Sequence, residues 1–273
     1  MSTRRLLAVR FMDPDSPGDM ACAPHLYHDL GGDVVERDIR EIVGNHGDVA
    51  QFDAVIVGGG GLLNSDHCQD SIPLLLNLAR KLVFWGVGAN NHFVMPGGLQ
   101  TWEDFWPLPV SQLLRRGPAV LVGIRDPSCE GIPGAPAGMF WRAPCASCAH
   151  PWLAGLRGGD GTGYFLRWPM PADEVSFGDA LRVISGHDMV WVLAEMRRFR
   201  RVVTDSYHVA QWASWAGLEF AVVRPHSVKF LLQDGWKISD MRAPVFNLPG
   251  VPLSRAVRAG QKFHRRVMQL LED

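Results

Sequence analysis

The run Val202–Gly217, VVTDSYHVAQWASWAG, sets a titratable ring in the surroundings that bind anions. Val202 and Val203 read as the end of a buried strand, and Asp205 and Ser206 are N-cap residues. The apolar-rich stretch Tyr207–Trp215 predicts a helix closed by Gly217. His208 then falls in the first helical turn, where backbone N–H groups and the positive end of the helix dipole favour phosphate or carboxylate. Its imidazole adds a proton donor that titrates near neutrality. A core histidine that happens to follow a cap is the other reading of the same segment.

Other strand ends carry compatible chemistry. Tyr164–Pro169 (YFLRWP) ends a strand in Arg167, whose guanidinium offers a bidentate fork for carboxylate or phosphate. Val122–Asp126 (VGIRD) aims a second permanent cation, Arg125, from another strand end. Gly58, Gly59, Gly60 and Gly61 follow the apolar run Ala54–Val57, and Gly86-Val87-Gly88 repeats the pattern. Such turns let backbone N–H groups approach an anion or sugar closely. The spacing matches neither a dinucleotide-binding fingerprint nor a P-loop. Asp19, after the first strand, is an obvious N-cap, and its position also suits a base for a hydroxyl proton. His25 and His28, spaced i and i+3 beyond it, read as helix-surface residues.

The elements that must position these residues alternate in type. Strands are predicted at Arg5–Phe11, Val34–Ile39, Ala54–Val57, Lys81–Val87 and Ala119–Ile124. Helices are predicted at about Met20–Leu30, Ile72–Ala79 and Trp102–Arg115. From about Pro127 to Gly163 the texture turns Gly- and Pro-rich and reads as an irregular crossover. The rhythm then resumes with strands Tyr164–Leu166, Arg201–Val203 and Phe220–Val223 and helices near Asp188–Arg198, Tyr207–Trp215 and Val228–Gln233. An amphipathic, basic helix, Ser254–Leu271, closes the chain. Short all-apolar strands alternating with helices predict α/β halves with parallel sheets covered on both faces. The expected architecture is two Rossmann-like halves of the glycosyltransferase-B type. Residues 1–150 would form the N-terminal domain and 151–253 the C-terminal one, with a helix at 254–273 that could return to the first.

Composition narrows the classes. The 273 residues are 47% hydrophobic and 20% charged, as in a globular chain. With a formal net charge of −1 no overall field recruits nucleic acid or an anionic membrane. The basic runs Arg197–Arg201 and His264–Arg266 read as solvated faces, allowing at most peripheral membrane contact. MSTRRLLAVRF leads straight into a strand without a signal-peptide core, so a cytoplasmic location is expected. The five cysteines form an odd set, and the lone pair Cys145 and Cys148 lacks the second pair of a zinc site. No metal and no cofactor are expected. Ten tryptophans offer stacking faces; Trp191, Trp212 and Trp215 sit in helical apolar patterns, whereas Trp102 and Trp106 are candidates for an acceptor platform.

Taken in order, these segments resemble the polysaccharide pyruvyl transferase family, particularly its ketal pyruvyltransferases of exopolysaccharide synthesis. The resemblance runs through Gly18-Asp19, Gly58–Leu63, Gly86-Val87-Gly88, Arg125, Arg167 and Asp205-Ser206-Tyr207-His208, and on into His226–Met241. It implies a transferase that moves the pyruvyl group of phosphoenolpyruvate onto two hydroxyls of a saccharide, or of a lipid-linked oligosaccharide. Phosphate is released and a cyclic ketal remains. It places the phosphoenolpyruvate grip on Arg167 and His208. On chemical grounds Arg125 would join the clamp, Ser206 and Gly58–Gly61 would line it, His208 would act as acid and Asp19 as base. The family form Ser-Arg-Leu-His is here Asp205-Ser206-Tyr207-His208, so one arginine is missing. The alternatives are a sugar-nucleotide-dependent glycosyltransferase on the same fold and a non-catalytic carbohydrate-binding protein.

Overall fold

The computed structural model describes residues 3–62, 68, 70–88, 119–125, 140–168, 180–225, 227–230, 233 and 235–273. Its first sheet runs β2-β1-β3-β4-β5-β6, built from β1 (Arg5–Arg10), β2 (Asp33–Asp38), β3 (Ala54–Gly60), β4 (Leu82–Val87), β5 (Val120–Ile124) and β6 (Phe140–Arg142). Helices α1 (Pro17–Met20) and α2 (Ser71–Leu78) interrupt the strands. A short helix α3 (Pro151–Ala154) then precedes the second sheet. That sheet runs β11-β10-β9-β7-β8, from β7 (Thr162–Leu166), β8 (Leu181–Val183), β9 (Arg201–Thr204), β10 (Glu219–Val223) and β11 (Ile238–Ser239). Helices α4 (Met189–Met196) and α5 (Tyr207–Ala216) lie between its strands, and α6 (Leu253–Glu272) ends the chain. Every paired strand is parallel. This is the glycosyltransferase-B-like arrangement of two α/β halves and a C-terminal helix.

Each strand of the first sheet sends alternate side chains to opposite faces. Leu7, Val9, Val55, Val57 and Phe84 pack with Ile72, Leu75 and Leu76 of α2. Leu6, Ala54, Ile56, Val83 and Trp85 meet Phe263, Val267 and Leu271 of α6 on the other face. A helix of twenty residues spans about 30 Å. That length lets α6 begin with Ala256 among the second-half core residues and finish over the first sheet.

Several elements differ from the sequence expectations. The helix expected at Met20–Leu30 is the four-residue α1 and a 3₁₀ turn at Pro24–Leu26. Pro24 lacks the N–H that would continue the ladder and disfavours helical geometry at Ala23, which is extended at φ −69, ψ 123. The segment read as an irregular crossover contributes β6 and α3, and β8 and β11 also went unseen. Strands of two or three residues are too short to show a period. The helix expected at Val228–Gln233 is a 3₁₀ turn at Val228–Phe230. The predicted helix Trp102–Arg115 lies outside the described residues.

His28 is not a surface residue. Its ring stacks on Trp85 at 4.7 Å between centroids and lies 5.0 Å from His264, whose Nε2 contacts the Asp29 carbonyl at 2.7 Å. Burial, then the neighbouring His264, pushes the His28 pKa down from 6.5 to about 4. The unfolded chain thus takes up a proton below about pH 6.5 that the fold refuses until about pH 4. Stability is complete above the higher value and is lost as pH falls between the two, by on the order of 2 kcal/mol once partial exposure is allowed for. Denaturant titrations at pH 7.5 and 4.5 should show the loss, and His28→Phe should reduce it. An unchanged pH dependence in that variant would remove His28 as the cause.

Candidate functional site

Three elements converge on His208. It sits on the first turn of α5, after β9; Arg125 ends β5 in the other half; Gly18 lies in α1. Arg125 Nη1 is 3.3 Å from His208 Nε2. A guanidinium can only donate, so Nε2 accepts and the ring proton belongs on Nδ1. The Arg125 guanidinium also lies over the Tyr207 ring, 4.3 Å from its centroid. Tyr207 is held in turn by Phe230 and Trp236 and by Gln233, whose amide donates to the phenol oxygen at 2.7 Å. On the other side the His208 ring rests against Gly18, where any Cβ would overlap the imidazole. Glycine at 18 is therefore what lets the two halves close on this histidine.

The sequence expectation for the α5 cap needs correction. Ser206 is the N-cap residue, yet its side chain makes no cap hydrogen bond. Asp205 is buried at 3% exposure and reaches instead to the end of β7, accepting the Arg167 backbone N–H at 2.8 Å. Arg224 Nη2 stands 3.6 Å from its other oxygen. Burial outweighs these contacts and raises the Asp205 carboxyl above its ordinary range. Thr204 orders the turn: its hydroxyl donates to the Phe165 carbonyl at 2.6 Å and accepts the Ser206 N–H at 3.0 Å. The β9–α5 junction is thus built by Thr204 and Asp205.

Electrostatics single out His208. Its pKa is held well below 6.5, first by burial and then by Arg125, Lys229 and Arg167. Burial and the three nearby cations favour the neutral imidazole, and the same positive charge suits an incoming polyanion. An anion bound here would offset the cationic part of the effect and favour protonation of the ring. Lys229 is the member that sequence reasoning missed. It is 8% exposed, in the 3₁₀ turn after β10, with Nζ 5.8 Å from the Tyr207 ring centroid. A buried lysine next to an aromatic cannot be told from a surface lysine by spacing.

The structure therefore gathers Arg125, Arg167, Ser206 and His208, and brings Asp19 to the edge of the group through Gly18. Asp19 does not cap a helix; it lies inside α1, with its carboxylate facing Gly60. The glycine turn is divided. Gly58 and Gly59 lie so close under Pro24 and Cys22 that a side chain would collide with them, so packing requires glycine at both. Gly60, at φ +89, is the part that faces Asp19, whose Oδ1 would lie 3.2 Å from a Cβ built there. Cys145 and Cys148 are buried in a 3₁₀ turn, where burial raises both thiols, and the Trp212 indole donates to Ser147 between them at 3.1 Å. Trp212 and Trp215 are core residues and Trp191 packs against them half-buried. Trp102, Trp106 and Asp126 lie outside the described residues.

No family model and no curated protein matches the chain. Among solved structures, an uncharacterised protein from Klebsiella pneumoniae subsp. pneumoniae aligns at TM-score 0.44 and 15% identity, over 82% of this chain and 84% of that one. A putative UDP-N-acetylglucosamine 2-epimerase from Listeria monocytogenes aligns at TM-score 0.50 and 12% identity, over 98% of this chain and 91% of that one. The second likeness is one of fold.

Proposed function

We propose that this chain is a pyruvyltransferase that moves the enolpyruvyl carbon of phosphoenolpyruvate onto two hydroxyls of a saccharide. The observation that carries the reading is the neutral, buried His208 surrounded by Arg125, Lys229 and Arg167 at the junction of the two halves. Phosphoenolpyruvate concentrates a carboxylate and a phosphate in one small molecule, and such a cationic group suits both. Arg167 and Arg125 provide forks, Lys229 a point charge, and the start of α5 backbone N–H groups.

In the proposed reaction both sugar oxygens bond to C2 of phosphoenolpyruvate, and the C2–O bond to phosphate breaks. One hydroxyl proton is balanced by a proton delivered to the methylene carbon, which becomes the methyl group. The other leaves with phosphate. His208, charged once the anion is bound, is the acid for the methylene, and Asp19 accepts a hydroxyl proton. The fixed cations stabilise charge that shifts to the phosphate in the transition state.

Thermal unfolding tests the donor. Phosphoenolpyruvate at 100 times its dissociation constant should add about 2.7 kcal/mol of stability. Its affinity should rise as pH falls from 8 to 6, because binding takes up a proton at His208. UDP-N-acetylglucosamine should give no shift. A shift with the nucleotide sugar and none with phosphoenolpyruvate would replace this reading with a sugar-nucleotide enzyme on the same fold.

A further inference from the structure

Beside the His208 group, between α5, the first turns of α6 and the ends of β5 and β6, lies a cavity of about 450 Å³. Arg125, Arg142 and Arg255 reach it from three different elements, and no acidic side chain is among its described lining residues. Trp215 and Trp236 give it apolar faces. Gln211 lines it too, one turn beyond His208 on α5 and only 6% exposed. Its Oε1 is buried and has no hydrogen-bond partner among the described residues. A buried amide oxygen without a donor costs free energy that a ligand hydroxyl would recover.

We infer that this cavity binds a hydroxylated ring carrying an anionic group, an acidic or phosphorylated sugar. A hydroxyl donates to Gln211 Oε1, a tryptophan face takes the ring, and Arg142 and Arg255 meet the anion from opposite sides of the domain junction. Phosphoenolpyruvate has neither a ring nor a hydroxyl, so this chemistry differs from that of the donor group. Arg125 touches both His208 and the cavity, which sets the sugar next to the transferred carbon. The role as acceptor rests on the pyruvyl-transfer reading; the binding does not.

Calorimetric titration with glucuronate, glucose 1-phosphate and neutral glucose tests it, with phosphoenolpyruvate measured in parallel. At least one charged sugar should bind and glucose should bind at least tenfold more weakly. Gln211→Met and the double substitution Arg142→Ala/Arg255→Ala should each weaken the charged sugar about tenfold and leave the phosphoenolpyruvate affinity unchanged. Glucuronate or glucose 1-phosphate as the tighter ligand identifies a carboxylate or a phosphate as the anion, and either supports the site. The inference is overturned if neither charged sugar binds, if glucose binds equally well, or if the substitutions leave the charged sugar unaffected. It is overturned equally if Gln211→Met abolishes phosphoenolpyruvate binding, which would assign the cavity to the donor. Absent phosphoenolpyruvate binding with sugar binding intact would overturn only the pyruvyl-transfer reading.

Discussion

His208→Ala is expected to lower turnover of phosphoenolpyruvate by a factor of 10²–10⁴, the range for loss of a positioned general acid. Phosphate release in the presence of a charged-sugar acceptor is the measurement. The ring is only 6% exposed and packs edge-on to Tyr207, so its removal leaves a space and costs roughly 2 kcal/mol of stability. That is a fraction of a typical domain's reserve, and the variant should fold. Removing the neutral imidazole leaves all three cations in place, so phosphoenolpyruvate should still bind within about tenfold of the parent affinity. The effect therefore belongs mainly to kcat and not to KM. Turnover at the parent rate, or a fall confined to KM, would make the histidine a packing residue.

Arg125→Met should act on binding instead. The guanidinium is 5% exposed and touches His208 directly, so its charge acts with little screening by solvent. Hydrogen bonds to charged groups contribute about 1.5–3 kcal/mol each. Losing a fork on the carboxylate or phosphate should then weaken phosphoenolpyruvate by about a hundredfold. Methionine keeps much of the volume over the Tyr207 ring. The same change has a second consequence of fixed sign. Arg125 is the largest of the charges that hold His208 neutral, so its removal must move the His208 pKa upward. Proton-detected NMR of the imidazole would follow this in the free protein. A hundredfold weaker ligand with an unmoved His208 titration would mean that Arg125 does not act through the histidine, and the proposed acid would need another partner.

Much of the architecture was legible in the residues themselves because it rests on local pattern. Apolar runs such as Ala54–Val57 and Lys81–Val87 must leave water on both faces, which parallel strands between helices achieve. The helix Tyr207–Ala216 was bounded by its own chemistry, with Gly217 supplying the left-handed φ of +80 that ends it. Arg125 and Arg167 were recognisable because each follows a strand, and strand ends share one edge of a sheet. Tertiary structure alone decided what these residues meet. That packing requires glycine at 58 follows from Cys22 and Pro24 folding back across it. Asp205 abandoned the local cap for the Arg167 amide because β7 and β9 are neighbours in the sheet. Lys229 and Gln211 are buried polar groups only in the folded chain, at 8% and 6% exposure. Helix and strand periods are set within a few residues by backbone geometry, whereas charge and desolvation at a point sum over side chains far apart in the chain, which no local spacing encodes.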